Sequence, residues 1–202
     1  MSDLRVHKTK YINETKRVSF KYDGKNFFGY EGDTLASALL ANGVHLIGRS
    51  FKYHRPRGIM SCGSEEPNAI CQISDKNDLT EPNVRATELE IYDGLEAFSQ
   101  NCWPNVKFDI GGINNLISPL IPAGFYYKTF MWPKSFWKKV YEPLIRMSAG
   151  LGKSPTEPDP DIYDHKYVHY DVLVIGGGLS GIISAKIAAK SNLKTLLVDD
   201  KK

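Results

Sequence analysis

The residues in this chain best suited to chemistry are Gly176, Gly178, Ser180 and Gly181, followed by Asp199, Asp200 and Lys201. The glycines lie in the string Gly176-Gly177-Gly178-Leu179-Ser180-Gly181, and Asp199 comes 18 residues after Gly181. That spacing suits a dinucleotide. A first glycine permits a tight turn out of a strand, a second lets a pyrophosphate approach the backbone, and a third lets helix and strand pack closely. The helix that starts there offers N–H groups and a partial positive charge to phosphate. Ser180 adds a donor beside the third glycine. An acid at the end of the next strand accepts ribose hydroxyls. Asp199 is the first acid after the apolar run and the favoured partner, with Asp200 the alternative and Lys201 flanking the adenosine. A carboxylate there repels a 2′-phosphate, so NAD or FAD is expected over NADP. The bland reading of the same residues is a tight strand–helix turn with no ligand.

Such a loop needs elements to hold it. Asp171-Val172-Leu173-Val174-Ile175 is a continuous apolar run, as in a buried parallel strand. Ile182, Ile183, Ala185, Ile187, Ala188 and Ala189 supply a helix, and Lys194 to Val198 a second strand. This is the order of the first βαβ unit of a Rossmann-type α/β domain, expected over 167–202 and incomplete, since a doubly wound sheet needs more strands. The expectation is therefore an amino-terminal fragment of a longer polypeptide.

Upstream, residues 17–31 read as a hairpin about the Asp23-Gly24 turn. Asp33 reads as the N-cap of a helix carrying Leu35, Ala36, Leu39 and Leu40, which Asn42-Gly43 stops. Val44–Ile47, Asn68–Ser74 and Thr87–Tyr92 read as strands. Hairpin, helix and further strands suggest an α+β domain of the β-grasp type over 1–100. Residues 101–166 read as an aromatic-rich connecting arm and linker. They hold Trp103, Trp132 and Trp137, are broken by prolines, and include a helix expected over Ser135–Met147.

Bulk properties exclude several classes. The chain has 202 residues, a net charge of +3 and 42% apolar residues. That charge gives no support to general nucleic-acid or membrane affinity. No apolar run approaches the ~20 residues of a membrane span, and residues 1–5 lack a signal-peptide core. A cytoplasmic location is expected, with three widely spaced cysteines as free thiols.

The stretch Arg49-Ser50-Phe51-Lys52-Tyr53-His54-Arg55-Pro56-Arg57-Gly58 interleaves basic and aromatic side chains. It admits three readings. One is single-strand nucleic-acid binding, which the near-neutral charge opposes. Another is phosphate binding, and the third is a surface loop whose arginines pair with Glu65 and Glu66. His54 is expected to make a loop hydrogen bond. His7, His45, His165 and His169 show no metal spacing.

Over nearly the whole chain after about residue 15, the sequence resembles the α subunits of heterotetrameric sarcosine oxidases. The strings that carry the resemblance are Arg49–Gly58, Gly63–Ala69, Tyr92–Ala97, Asn101–Pro104, Gly124–Pro133 and Tyr141–Pro143, followed by the glycine-rich unit. The resemblance implies a domain similar to β-grasp [2Fe–2S] ferredoxins, then an NAD-binding domain. It implies FMN between the α and β subunits, FAD and the sarcosine site in β, and two small subunits, γ and δ. The implied reaction demethylates sarcosine to glycine, passes the one-carbon unit to tetrahydrofolate and reduces oxygen to hydrogen peroxide. Gly176, Gly178, Ser180, Gly181 and Asp199-Asp200-Lys201 match the family's NAD site. No catalytic residue is expected within this chain.

No iron–sulfur cluster and no other metal site is expected either. Plant-type clusters use C-x₄-C-x₂-C and a distant fourth cysteine. With Cys62 as first ligand, the next positions hold Pro67 and Ile70, and Cys71 is one residue out of place. The alternatives to the leading reading are an electron-transfer subunit of another amine or opine dehydrogenase, and a non-catalytic scaffold.

Overall fold

A computed structural model describes residues 4–6, 9–74, 80–120, 124, 130–158 and 162–199. It divides into two compact units, Met1–Pro158 and Asp159–Lys202.

The first unit is built on a hairpin. Strands β1 (Asn13–Tyr22) and β2 (Lys25–Glu31) are antiparallel, with Tyr22 opposite Lys25. Asp23 and Gly24 close the turn with φ of 47° and 72°, the left-handed values that a two-residue hairpin loop demands. Alternation along β1 sends Val18, Phe20 and Tyr22 inward. Helix α1 (Leu35–Ala41) follows, burying Leu35, Ala36, Ala38, Leu39 and Ala41. Its N-cap is Thr34, whose hydroxyl accepts from the Ser37 N–H at 3.2 Å, rather than the expected Asp33.

Asp33 has a different task. It is fully buried and forms a charged pair with Arg5, with oxygen–nitrogen distances of 3.0 and 2.5 Å. It also accepts from the Ser37 hydroxyl and the Tyr30 N–H. A buried carboxylate needs this set of donors to offset its lost hydration.

Strands β3 (Gly48–Arg49) and β4 (Pro56–Arg57) form a small separate ribbon. Strands β5 (Ile70–Ser74), β6 (Thr80–Arg85) and β7 (Leu95–Ser99) complete a five-stranded sheet of order β2-β1-β7-β5-β6. Only β1 and β7 pair in parallel in that sheet. The core between sheet and helix includes Phe20, Leu35, Leu39, Ile47, Cys71 and Leu95. Each large buried aliphatic there contributes roughly 1.5–3 kcal/mol. Thr87–Tyr92 is not a strand. The Leu89 carbonyl accepts from Leu35 N–H and the Ile91 N–H donates to the Asp33 carbonyl, so this segment seats the helix start instead.

In the arm, helix α2 (Ile113–Leu116) is a single turn. The expected helix over Ser135–Met147 is a composite: a 3₁₀ turn at Lys134–Phe136, a π turn at Trp137–Tyr141, then α3 (Glu142–Ser148) with Pro143 in its first turn. Pro143 has no N–H to donate to the carbonyls of the preceding π turn, so the change of helix type falls at this residue.

The second unit contains β8 (Val172–Ile175), α4 (Leu179–Lys190) and β9 (Thr195–Val198). The strands pair in parallel from Val172↔Thr195 to Ile175↔Val198. Of the incomplete Rossmann-type domain expected here, the described residues form one strand–helix–strand crossover and no doubly wound sheet. Two strands and one helix make a single crossover, and Ile175 and Leu179 remain 80% and 78% exposed. A doubly wound sheet would bury such residues on both faces. Among the described residues no helix is long and apolar enough to cross a membrane.

Candidate functional site

The glycine loop lies between β8 and α4. Gly176 leaves the strand with φ of +99°, a value that disfavours any side chain, and its N–H donates to the Val198 carbonyl at 2.8 Å. This bond ties the loop to the end of the neighbouring strand. Gly178 is the N-cap of α4, and its carbonyl accepts from the Ile182 N–H. A Cβ built on Gly178 meets nothing within 4 Å. A Cβ on Gly181 would lie 1.9 Å from the Gly176 carbonyl oxygen. The third glycine is thus required by packing inside the protein, whereas Gly178 faces open space.

Asp199 comes at the end of β9, and its carboxylate accepts the Gly177 N–H. Gly176, Gly178, Ser180, Gly181 and Asp199 therefore surround one small region of the second unit. Asp200 and Lys201 lie outside the described residues. Ser180 occupies the first turn of α4 and is exposed. The first turn carries no acid, and the first N–H groups of a helix have no intrahelical acceptor. The arrangement can receive an anion with adjacent hydroxyls: donors at the helix start, an open backbone at Gly178, and an acceptor at Asp199.

In the basic loop of the first unit, Arg49, His54 and Arg55 bond to the start of the arm. Arg49 donates to the carbonyls of Val106 (2.8 Å), Lys107 (3.1 Å) and His54 (3.2 Å). His54 Nδ1 lies 2.7 Å from the Asp109 carboxylate, and Arg55 donates to the Asn115 side chain at 2.8 Å. Asn114 reaches back to the Lys52 carbonyl, and Asn101 to that of Arg49. The stretch is a clamp that fastens the start of the arm to the sheet domain. Its partners are not Glu65 and Glu66. Glu66 is buried and accepts four backbone N–H bonds, from Met60 (2.7 Å), Ser61 (2.6 Å), Asn68 (2.7 Å) and Ala69 (3.2 Å). Burial alone would raise its carboxyl, but these four donors outweigh it and hold the group below the usual carboxylate range. Sequence patterning missed this residue, since nothing in a loop's composition announces four converging N–H groups.

The cysteines occupy three environments. Cys62 is exposed, Cys71 is buried in β5, and Cys102 is half-buried beside Ser99 at 3.3 Å. Burial pushes the Cys71 thiol up to about 12 and raises that of Cys102 as well.

Comparison with known proteins places these observations. Residues 15–102 match the family model described as a 2Fe–2S iron-sulfur cluster binding domain. The chain is 53% identical over 200 residues to a sarcosine oxidase subunit alpha of Rhizobium meliloti, covering 99% of this chain and 20% of that protein. It is 30% identical over 192 residues to a sarcosine oxidase subunit alpha of Corynebacterium, covering 94% and 15%. The chain thus spans about a fifth or less of the curated relatives it matches. An L-proline dehydrogenase structure from P. horikoshii aligns with 97% of this chain and 26% of its own at 18% identity and a TM-score of 0.45, which carries no fold assignment.

The resemblance to sarcosine oxidase α subunits is shown by these matches. Two other expectations are corrected. The fold supported is a sheet-rich, ferredoxin-like domain of the cluster-binding type at 15–102, not a cluster-free domain leading into a Rossmann-type one. The expectation of no iron–sulfur cluster is overturned by the same match.

A two-iron cluster takes four ligands, generally thiolates. The chain has Cys62, Cys71 and Cys102, and burial disfavours the thiolate at the latter two. Among the described residues, no three His, Cys, Asp or Glu side chains gather where they would hold a metal. The described residues do not assemble the ligand set for such a cluster.

Proposed function

We propose that this chain serves an oxidoreductase of the sarcosine oxidase type, contributing a dinucleotide-binding loop and assembly surfaces rather than reacting groups. The carrying observation is the closure of Asp199 onto Gly177 beneath the start of α4. It sets a hydroxyl acceptor beside an open, donor-lined loop. In this reading Gly178 admits the pyrophosphate, the N–H groups near Ser180 and Gly181 bind it, and Asp199 accepts the ribose hydroxyls. Asp200 and Lys201 complete the adenosine end. NAD is favoured over NADP because a 2′-phosphate would be set against a carboxylate.

The substrate and partners follow the relatives. The proposed reaction is oxidative demethylation of sarcosine to glycine, with the one-carbon unit passed to tetrahydrofolate and oxygen reduced to hydrogen peroxide. The proposed partners are β, γ and δ subunits, with the flavins FMN and FAD placed outside the residues of this chain. Residues 1–100, 101–166 and 167–202 are read as the ferredoxin-like domain, connecting arm and dinucleotide-binding segment. The test is sarcosine-dependent peroxide formation by the assembled complex. Turnover of another secondary amine with none of sarcosine would overturn the substrate.

A second reading is favoured by the cluster-binding family match: an electron-transfer subunit of another amine or opine dehydrogenase. Iron analysis and visible absorbance of the purified protein distinguish it.

A further inference from the structure

A cleft of about 740 Å³ opens at the hairpin end of the first unit, and the proposed function makes no use of it. Its volume falls within the range of small-molecule sites. The floor is apolar, formed by Tyr22, Phe27, Val44 and Val106. Tyr22, Phe27 and Val106 are nearly inaccessible, and the Tyr22 hydroxyl is already committed to the Ile47 carbonyl at 2.8 Å. The hydrocarbon that stays accessible in the cleft is that of Val44 and Leu46, both half-buried, packed over these residues.

The rim is basic. Lys25, His45 and Lys107 line the same cleft, and all three are exposed. Among the described residues no carboxylate pairs with any of them. The one acid at the cleft, Asp23, accepts the Ser99 N–H and hydroxyl through Oδ1 at 2.8 and 3.0 Å.

The backbone under each basic residue is anchored. Lys25 is paired opposite Tyr22 in the hairpin. The Lys107 N–H donates to the Asn105 side chain, and its carbonyl accepts from Arg49. The His45 carbonyl lies against Gly58, where a Cβ would come within 2.5 Å.

We propose that this cleft binds a small organic anion with a flat apolar body, such as an aromatic carboxylate or sulfonate. The ring would rest on the apolar floor while the anionic group meets Lys25 and Lys107. The site lies within the first unit and is independent of the glycine loop.

The test is a two-dimensional amide NMR titration of the protein with naphthalene-2-sulfonate. Shifts are expected to concentrate at Val44–Leu46 and Asn105–Lys107. The double substitution Lys25→Gln/Lys107→Gln is expected to weaken binding about tenfold, through the loss of two exposed charge contacts. The control Lys134→Gln/Lys138→Gln, on the arm, leaves it unchanged. The uncharged 2-naphthol binds more weakly than the sulfonate. Shifts confined to exposed aromatics elsewhere, equal weakening by both double substitutions, or equal binding of 2-naphthol would each overturn the proposal.

Discussion

The backbone N–H of Gly177 donates to the carboxylate of Asp199, which joins the glycine loop to the end of β9 across 22 residues of sequence. The bond gives the acid a fixed position before any ligand arrives.

Gly178 and Gly181 differ in what they protect, and substitution separates them. Gly178→Ala introduces a methyl into open space at φ of −64°, an ordinary value, so thermal unfolding should be unchanged while dinucleotide binding weakens at least tenfold. Gly181→Ala drives a methyl to 1.9 Å from the Gly176 carbonyl and should disturb the loop itself. Circular dichroism melts paired with binding isotherms check both. Gly178→Ala binding with wild-type affinity would show that no pyrophosphate approaches there.

Glu66 makes the first unit sensitive to acid. Its folded carboxyl is held below the unfolded value near 4.3. Its contribution is therefore present in full above that unfolded value and is lost as pH falls through the lowered folded one. Glu66→Gln should destabilise the unit by about 2 kcal/mol at neutral pH, because an amide cannot accept four N–H bonds. The same variant should flatten the loss of stability in acid. Urea unfolding at a series of pH values measures both effects.

Arg49 should resist conservative replacement. It reaches three carbonyls with one guanidinium, which a lysine ammonium cannot match in geometry. Arg49→Lys and Arg49→Ala are both expected to speed proteolysis between residues 101 and 115. Wild-type cleavage rates in both would mean the clamp does not hold the arm.

The cysteines should label in order of exposure. Maleimide is expected to modify Cys62 in the native state and to leave Cys71 untouched until unfolding, since Cys71 is buried and its thiol is pushed up to about 12. Peptide mapping after timed labelling decides this.

How far the sequence announced these features depended on whether the cause was local. The hairpin was legible because Asp23-Gly24 requires positive φ at adjacent residues, which few pairs tolerate. The glycine loop was legible because turn, approach and packing each demand a missing side chain within six positions. Asp33 has the look of a cap in sequence, because the true cap, Thr34, is its neighbour and its partner Arg5 lies 28 residues away. Thr87–Tyr92 alternates like a strand, yet its backbone groups are claimed by the start of α1. The partners of Arg49 are main-chain carbonyls up to 58 residues distant, which no side-chain pattern encodes. The cysteine spacing speaks against a cluster, whereas residues 15–102 share their frame as a whole with a cluster-binding family, a likeness spread over the domain and not held in three thiols.

The most direct test of the glycine-loop proposal is calorimetric titration of the purified protein with NAD and with NADP, repeated on Asp199→Asn. The account predicts tighter binding of NAD by wild type, and an Asp199→Asn variant that loses affinity for NAD and with it most of the discrimination. No measurable heat with NAD, or NADP bound more tightly than NAD by wild type, would contradict it.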